Sequence, residues 1–183
     1  EEDAAGITCS FIANVGETSM DGLEVEGIWM PTSALTLRAA LGTLDANYDS
    51  YDYAGRDIAN VAQLLYAPEL TWSIGAEHIS QVFGGELILT ANYSFQDEVF
   101  TQTPWAIYDP ATFPKITIDD WESLDVSATY LRDTENGTFK VILYGTDVLE
   151  DGNRVQRRYT TGSFTWAELA PRQQFGVTVG YEF

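Results

Sequence analysis

The residues best suited to chemistry lie in two stretches that are not themselves strand-like. Residues 97–120 carry Trp105, Tyr108 and Phe113, with Trp121 next in sequence, and residues 149–172 carry Arg154, Arg157, Arg158, Tyr159 and Trp166. Flat aromatic faces beside guanidinium forks suit sugars, aromatic chelates or anionic ligands. Trp105, Tyr108, Arg157, Arg158, Tyr159 and Trp166 are therefore the candidate ligand-binding set. Four of the nine basic residues fall within 154–172, in a chain with 28 acidic residues and a formal net charge of −19. That local excess suits an anionic ligand. It suits equally well lipopolysaccharide phosphates at a membrane surface, or ion pairs with neighbouring acidic loops.

Other chemistry is poorly supplied. Asp45, Asn47, Asp49 and Asp52 suggest a calcium loop, but Ser50 stands where the turn glycine belongs and Arg56 where the bidentate Glu belongs. The segment reads as a solvated acidic loop, and no metal site is expected. One cysteine, Cys9, and one histidine, His78, cannot assemble the usual zinc or Cys/His catalytic sets within this chain. No Ser/His/Asp set is evident, and Asp119-Asp120 and Glu150-Asp151 read as solvated charge. Neither an enzyme nor a cofactor is expected, and the acidic balance disfavours nucleic acid as a partner.

The elements that must hold these residues are strands. In the last eleven residues Phe175, Val177, Val179, Tyr181 and Phe183 alternate with Gln174, Gly176, Thr178, Gly180 and Glu182. Successive side chains of a strand point to opposite faces, so one face is aromatic and apolar and the other small or polar. The same dyad recurs, and strands are expected over about 6–30, 34–46, 68–82, 86–97, 122–132, 138–148 and 173–183. Three short connections are expected at 31–34, 83–85 and 133–137, the last carrying Asn136-Gly137, a hairpin signal because both residues tolerate positive φ. Long connections at about 46–67, 97–120 and 149–172 alternate with them.

Short turns at one end and long loops at the other are the pattern of an outer-membrane barrel, whose strands need about 9–11 residues. The sequence thus predicts an all-β fold, an antiparallel transmembrane β-barrel segment of about seven strands. Glu24, Glu26, Arg38, Glu77, Asp125 and Glu182 share the parity expected to line the lumen. Trp29, Trp72, Tyr93, Phe95, Tyr130, Tyr181 and Phe183 share the lipid parity near strand ends and are expected to form the membrane girdle. Seven strands leave two open edges in lipid, where each unpaired backbone group costs several kcal/mol, so the segment is expected to be incomplete alone.

A family resemblance rests on four pieces in order. The string NVGETSMDGLEVEGIWMPTSALTLR at residues 14–38 resembles a stretch near the end of TonB-dependent outer-membrane receptors, with its Asn-x-Gly element, Gly-x-Glu-x-Glu and Pro-containing turn. LLYAPELTWSIGAEH is similar to that family's Ala-Pro strand entry, TFKVILYGTDVLED to its penultimate strand, and APRQQFGVTVGYEF to its final strand ending in Phe. Where the penultimate strand often continues into Asn-Leu, Asp147, Val148 and Leu149 stand here, which bears on the local turn. The resemblance implies the C-terminal part of a 22-stranded plugged barrel in the outer membrane of a Gram-negative bacterium. It would import a scarce nutrient of the siderophore, vitamin or oligosaccharide class. The implied partners are the remaining barrel strands and the plug, in the same polypeptide or another chain, the TonB complex acting through the missing N-terminal part, and membrane lipid with lipopolysaccharide. The rivals are a passive porin or structural barrel, and a soluble carbohydrate-binding β-sandwich.

Overall fold

The computed structural model describes residues 14, 16–53, 55–102, 116–149, 154–160 and 164–183. Every regular element among them is a strand: β1 (Gly16–Thr32), β2 (Leu35–Tyr53), β3 (Arg56–Asp57), β4 (Leu70–Val82), β5 (Gly85–Gln96), β6 (Val99–Phe100), β7 (Thr117–Ile118), β8 (Trp121–Thr134), β9 (Gly137–Thr146), β10 (Val155–Thr160), β11 (Thr165–Leu169) and β12 (Gln174–Glu182). No helix among the described residues is long and apolar enough to cross a membrane. Seven strands form one antiparallel meander in the order β1-β2-β4-β5-β8-β9-β12. The short β3 folds back antiparallel on the end of β2, while β6–β7 and β10–β11 are separate ribbons.

Local chemistry makes the three tight turns. Between β1 and β2, Thr32 Oγ1 accepts from the Ala34 and Leu35 amides at 3.3 and 3.1 Å. Between β4 and β5, Phe83 and Gly84 have φ of 50° and 75°, the double positive φ of a hairpin turn that follows the strand twist. Between β8 and β9 the turn residues are Glu135 and Asn136, one position earlier than the Asn-Gly signal implies, and of Asn136 and Gly137 only Gly137 has positive φ. Glycine is required there by close approach: a Cβ on Gly137 would lie 2.0 Å from the Glu182 carbonyl oxygen of β12.

Register sets the faces. Trp29, Leu37, Ala76, Ala91, Val126, Gly145 and Phe175 oppose one another in a single row across all seven strands. The neighbouring row is Ile28, Arg38, Gly75, Asn92 and Asp125, on the opposite face. A one-residue slip anywhere would exchange the two faces, so the alternation and the pairing specify each other. The apolar row also climbs. Trp29 and Leu37 lie about four residues from the centre of their turn, Ala76 and Ala91 seven to eight, and Val126 and Gly145 nine to ten. With the turns level and strands about 4.8 Å apart, that stagger gives a tilt of roughly 45°. Barrel strands tilt by about 35–45°.

Nothing covers the apolar face among the described residues. Val177 and Phe175 are 65% and 70% exposed, and Leu23, Trp29, Ile74 and Leu143 are exposed as well. The buried hydrophobics are Ile58, Ala62, Val99, Ile116, Ile118 and Ala170, all at or beyond the long-loop end of the sheet. A β-sandwich requires a second sheet on this face. Leu87, Trp72, Val126 and Val177 instead lie on one side of one sheet, so the described residues do not form a sandwich. β2 also differs from expectation, running to Tyr53 rather than ending near 46. Residues 6–13 and 15 of the first expected strand lie outside the described residues. A register shift between Glu17 and Thr18, beside Gly16, marks a bulge there.

Candidate functional site

The described residues of the long connections fold into a platform with its own interior. In the first, the Ile58 amide donates to Tyr51 O at 2.8 Å, and Val61 and Ala62 both donate to Ile58 O, forming one helix-like turn. Asp57 Oδ1 accepts from the Tyr51 and Ala59 amides, each at 3.0 Å. Those two donors favour the ionised carboxylate and hold Asp57 below its ordinary pKa. The second connection joins the first through Tyr66 N–H to Phe100 O at 2.9 Å and a parallel bridge between Leu65 and Phe100. The Thr101 amide and hydroxyl both donate to Ile116 O at 2.7 Å, closing the base of the β6–β7 ribbon. β10 packs against β7, so the third connection joins the other two.

A polar latch ties the third connection to the sheet. Asp147 leaves β9 with φ of 53°, and its amide donates to Asp125 Oδ1 at 2.8 Å. Arg154 Nη2 lies 2.9 Å from Asp147 Oδ2 and its guanidinium carbon 4.6 Å from the Trp121 ring centre. Both partners of this ion pair are largely buried, which strengthens it relative to an exposed pair while raising its desolvation cost. The Val148 amide donates to Leu124 O and the Ala170 amide to Arg154 O, so backbone bonds bracket the pair. Sequence reading placed Asp125 on the lumen wall and did not foresee this role. The 22-residue separation from Asp147 has no periodic signature, although the concentration of arginines after 154 pointed to the region.

The expected ligand set divides. Trp105 and Tyr108 lie outside the described residues. Tyr159 and Trp166 oppose each other across β10–β11, with ring centres 6.3 Å apart and planes inclined by 35°. Arg157 and Glu168 are the neighbouring pair on that face, 3.7 Å apart and exposed. Arg158 pairs opposite Ala167 on the other face, half-buried, with its Nε shielded from solvent. It therefore does not join Arg157.

Glu24, Glu26, Arg38, Glu77, Asp125 and Glu182 all fall on the polar face by register. Arg38 and Glu77 approach to 3.8 Å with substantial exposure, a contact worth little in water. Beside them a shallow hollow is bordered by Glu26, Ser73, Thr90 and Asn92. The aromatics form two groups. Trp72 stacks on Tyr93 and Phe95 at 5.2 and 5.9 Å near the long-loop end, and Tyr93 donates its hydroxyl to Glu122. Near the short turns, Tyr130 donates to Phe83 O at 3.1 Å, the Tyr181 hydroxyl meets Thr134 Oγ1 at 3.2 Å, and Trp29 and Phe183 are exposed.

No family model matches the sequence. Among solved structures the fold is similar to the ferric yersiniabactin uptake receptor FyuA from Yersinia pestis, with a TM-score of 0.70 and 15% identity over 91% of this chain. The alignment covers 24% of that receptor, so the chain spans about a quarter of its length. At this identity the likeness is one of fold: an all-β antiparallel sheet that matches part of an uptake receptor.

Proposed function

We propose that the chain is the C-terminal part of a TonB-dependent active transporter in the bacterial outer membrane. It contributes seven strands to the barrel wall and offers the long loops to an external ligand of the siderophore, vitamin or oligosaccharide class. The observation that carries this reading is the apolar face, uncovered across all seven strands while the packed interior lies in the loops. In water such a face would be an aggregation surface, whereas in a bilayer it meets hydrocarbon. The strand stagger and the two aromatic groups support the same placement. The polar face lines the interior, toward a plug, and β1 and β12 pair with the remaining strands. A TonB complex supplies energy through the part of the receptor not contained in these residues.

The test is uptake by cells that produce the full-length protein. Labelled ferric siderophores, cobalamin and oligosaccharides are supplied with and without a functional TonB complex. Accumulation of one class that vanishes without TonB is the expected result. Accumulation that persists without TonB identifies a passive pore, and recovery of the protein in the soluble fraction overturns the membrane placement.

A further inference from the structure

We propose that the exposed face of the β10–β11 ribbon is a subsite for a neutral oligosaccharide, with Tyr159 and Trp166 as its stacking shelf and Arg157 and Glu168 as its hydrogen-bonding edge. The inference rests on the transporter reading and names the ligand class that this loop selects. The two rings are 47% and 46% exposed, sit side by side on paired strands, and present a slanted apolar surface to water. The negative face of an aromatic ring attracts the weakly positive C–H bonds on the flat side of a pyranose. A sugar also needs fixed polar groups beside that surface, since binding sites combine apolar walls with a few placed donors and acceptors. Arg157 and Glu168 meet this need. Their side chains are 65% and 50% exposed at 3.7 Å, so each keeps free hydrogen-bonding positions for hydroxyls.

Charge argues against the anionic alternative. Of the four arginines that made an anion attractive, Arg154 is committed to Asp147 and Trp121, Arg158 lies on the opposite face, Arg157 is neutralised by Glu168, and the exposed Arg172 lies beyond the end of the ribbon. Asp45, Glu69, Asp97 and Glu98 border another hollow in the loop region, and the whole chain carries −19. An anion approaching this surface meets net repulsion, and a neutral glycan does not.

The experiment uses the full-length protein in detergent, titrated with neutral hexasaccharides of glucan, mannan and xylan, followed by calorimetry and Trp fluorescence. Hexagalacturonate, a ferric tris-catecholate and purified lipopolysaccharide are titrated alongside. At least one neutral hexasaccharide is expected to bind with an affinity insensitive to salt. Trp166→Ala should weaken it about thirtyfold, Tyr159→Ala and Arg157→Gln about tenfold, and Trp166→Phe by no more than about threefold. Unchanged melting of each variant excludes misfolding as the cause. The proposal is overturned if no neutral hexasaccharide binds, if Trp166→Ala leaves binding intact, or if an anionic probe alone binds and loses affinity in that variant. TonB-dependent uptake together with any of those outcomes removes the sugar subsite and leaves the transporter reading standing. Loss of TonB dependence removes the transporter reading.

Discussion

The sheet and the loop platform reverse the usual distribution of burial. Regular seven-stranded structure leaves Ile74, Leu143, Val177 and Phe175 uncovered, whereas irregular connections enclose Ile58, Ile116 and Ile118 almost completely. A soluble protein pairs its most regular elements with its core because that is where apolar area leaves water. Here the sheet satisfies its backbone through strand pairing and leaves its apolar area to an external solvent, while the platform must supply its own interior. The two regions therefore respond to different perturbations, lipid contact for one and packing for the other.

The largest expected effect separates the faces of the sheet. Ala76→Arg places a charge on the apolar face at the centre of β4 and should cost about 2–4 kcal/mol in a bilayer, against about 0.5 kcal/mol or less for Ser73→Arg on the polar face of the same strand. Urea titration of the full-length protein in lipid vesicles measures both, and equal losses would refute the two-faced assignment. Next is the latch. Asp147→Asn leaves Arg154 without its carboxylate and should loosen the third connection by about 1–2 kcal/mol, less than a fully buried pair because solvent still reaches both groups. Hydrogen exchange should rise at the Val148 and Ala170 amides and stay unchanged at Leu89 and Val141. A uniform rise would mean that the platform and the sheet open together.

The same division explains what the sequence could reveal. Strand pairs such as β9 and β12 were legible because Phe139, Val141 and Leu143 meet Tyr181, Val179 and Val177 on one face with unbroken period two. The end of β2 was not. Beyond Leu41 its outward positions become Thr43, Asp45, Asn47 and Asp49, so the apolar alternation stops while the backbone continues to pair with β1 as far as Tyr51 and Gly16. Periodicity reported the edge of the apolar band, not the end of the strand. Inside the platform the ribbons β6 and β7 are two residues each, too short for any period to register. In the candidate subsite, Tyr159, Trp166 and Arg157 were visible by residue type. Their common face depended on the pairing of Arg157 with Glu168 and of Tyr159 with Trp166, which composition does not encode; once that pairing is set, alternation puts Arg158 on the other face.

Two smaller effects sharpen the comparison from the platform side. Ile58 is 2% exposed, and Ile58→Val should cost about 1 kcal/mol through the methyl group it removes. Faster exchange at Val61 and Ala62, whose amides depend on Ile58 O, reports it. The smallest effect is a response to acid. Asp57 is exposed, yet the Ala59 and Tyr51 amides hold its carboxylate below the ordinary value of 3.8. The folded first connection thus binds its proton less readily than the open one. Its stabilisation is complete above the ordinary carboxylate range and disappears as pH falls through the lowered value. Exchange at Tyr51 and Ala59, corrected for the intrinsic rate, should therefore accelerate on acidification, while exchange along the apolar row from Leu37 to Val126 should follow the intrinsic rate alone. Asp57→Asn keeps an acceptor oxygen for both amides but has no proton to gain. Its corrected exchange should be independent of pH, and a persisting acid response in that variant would move the cause away from Asp57.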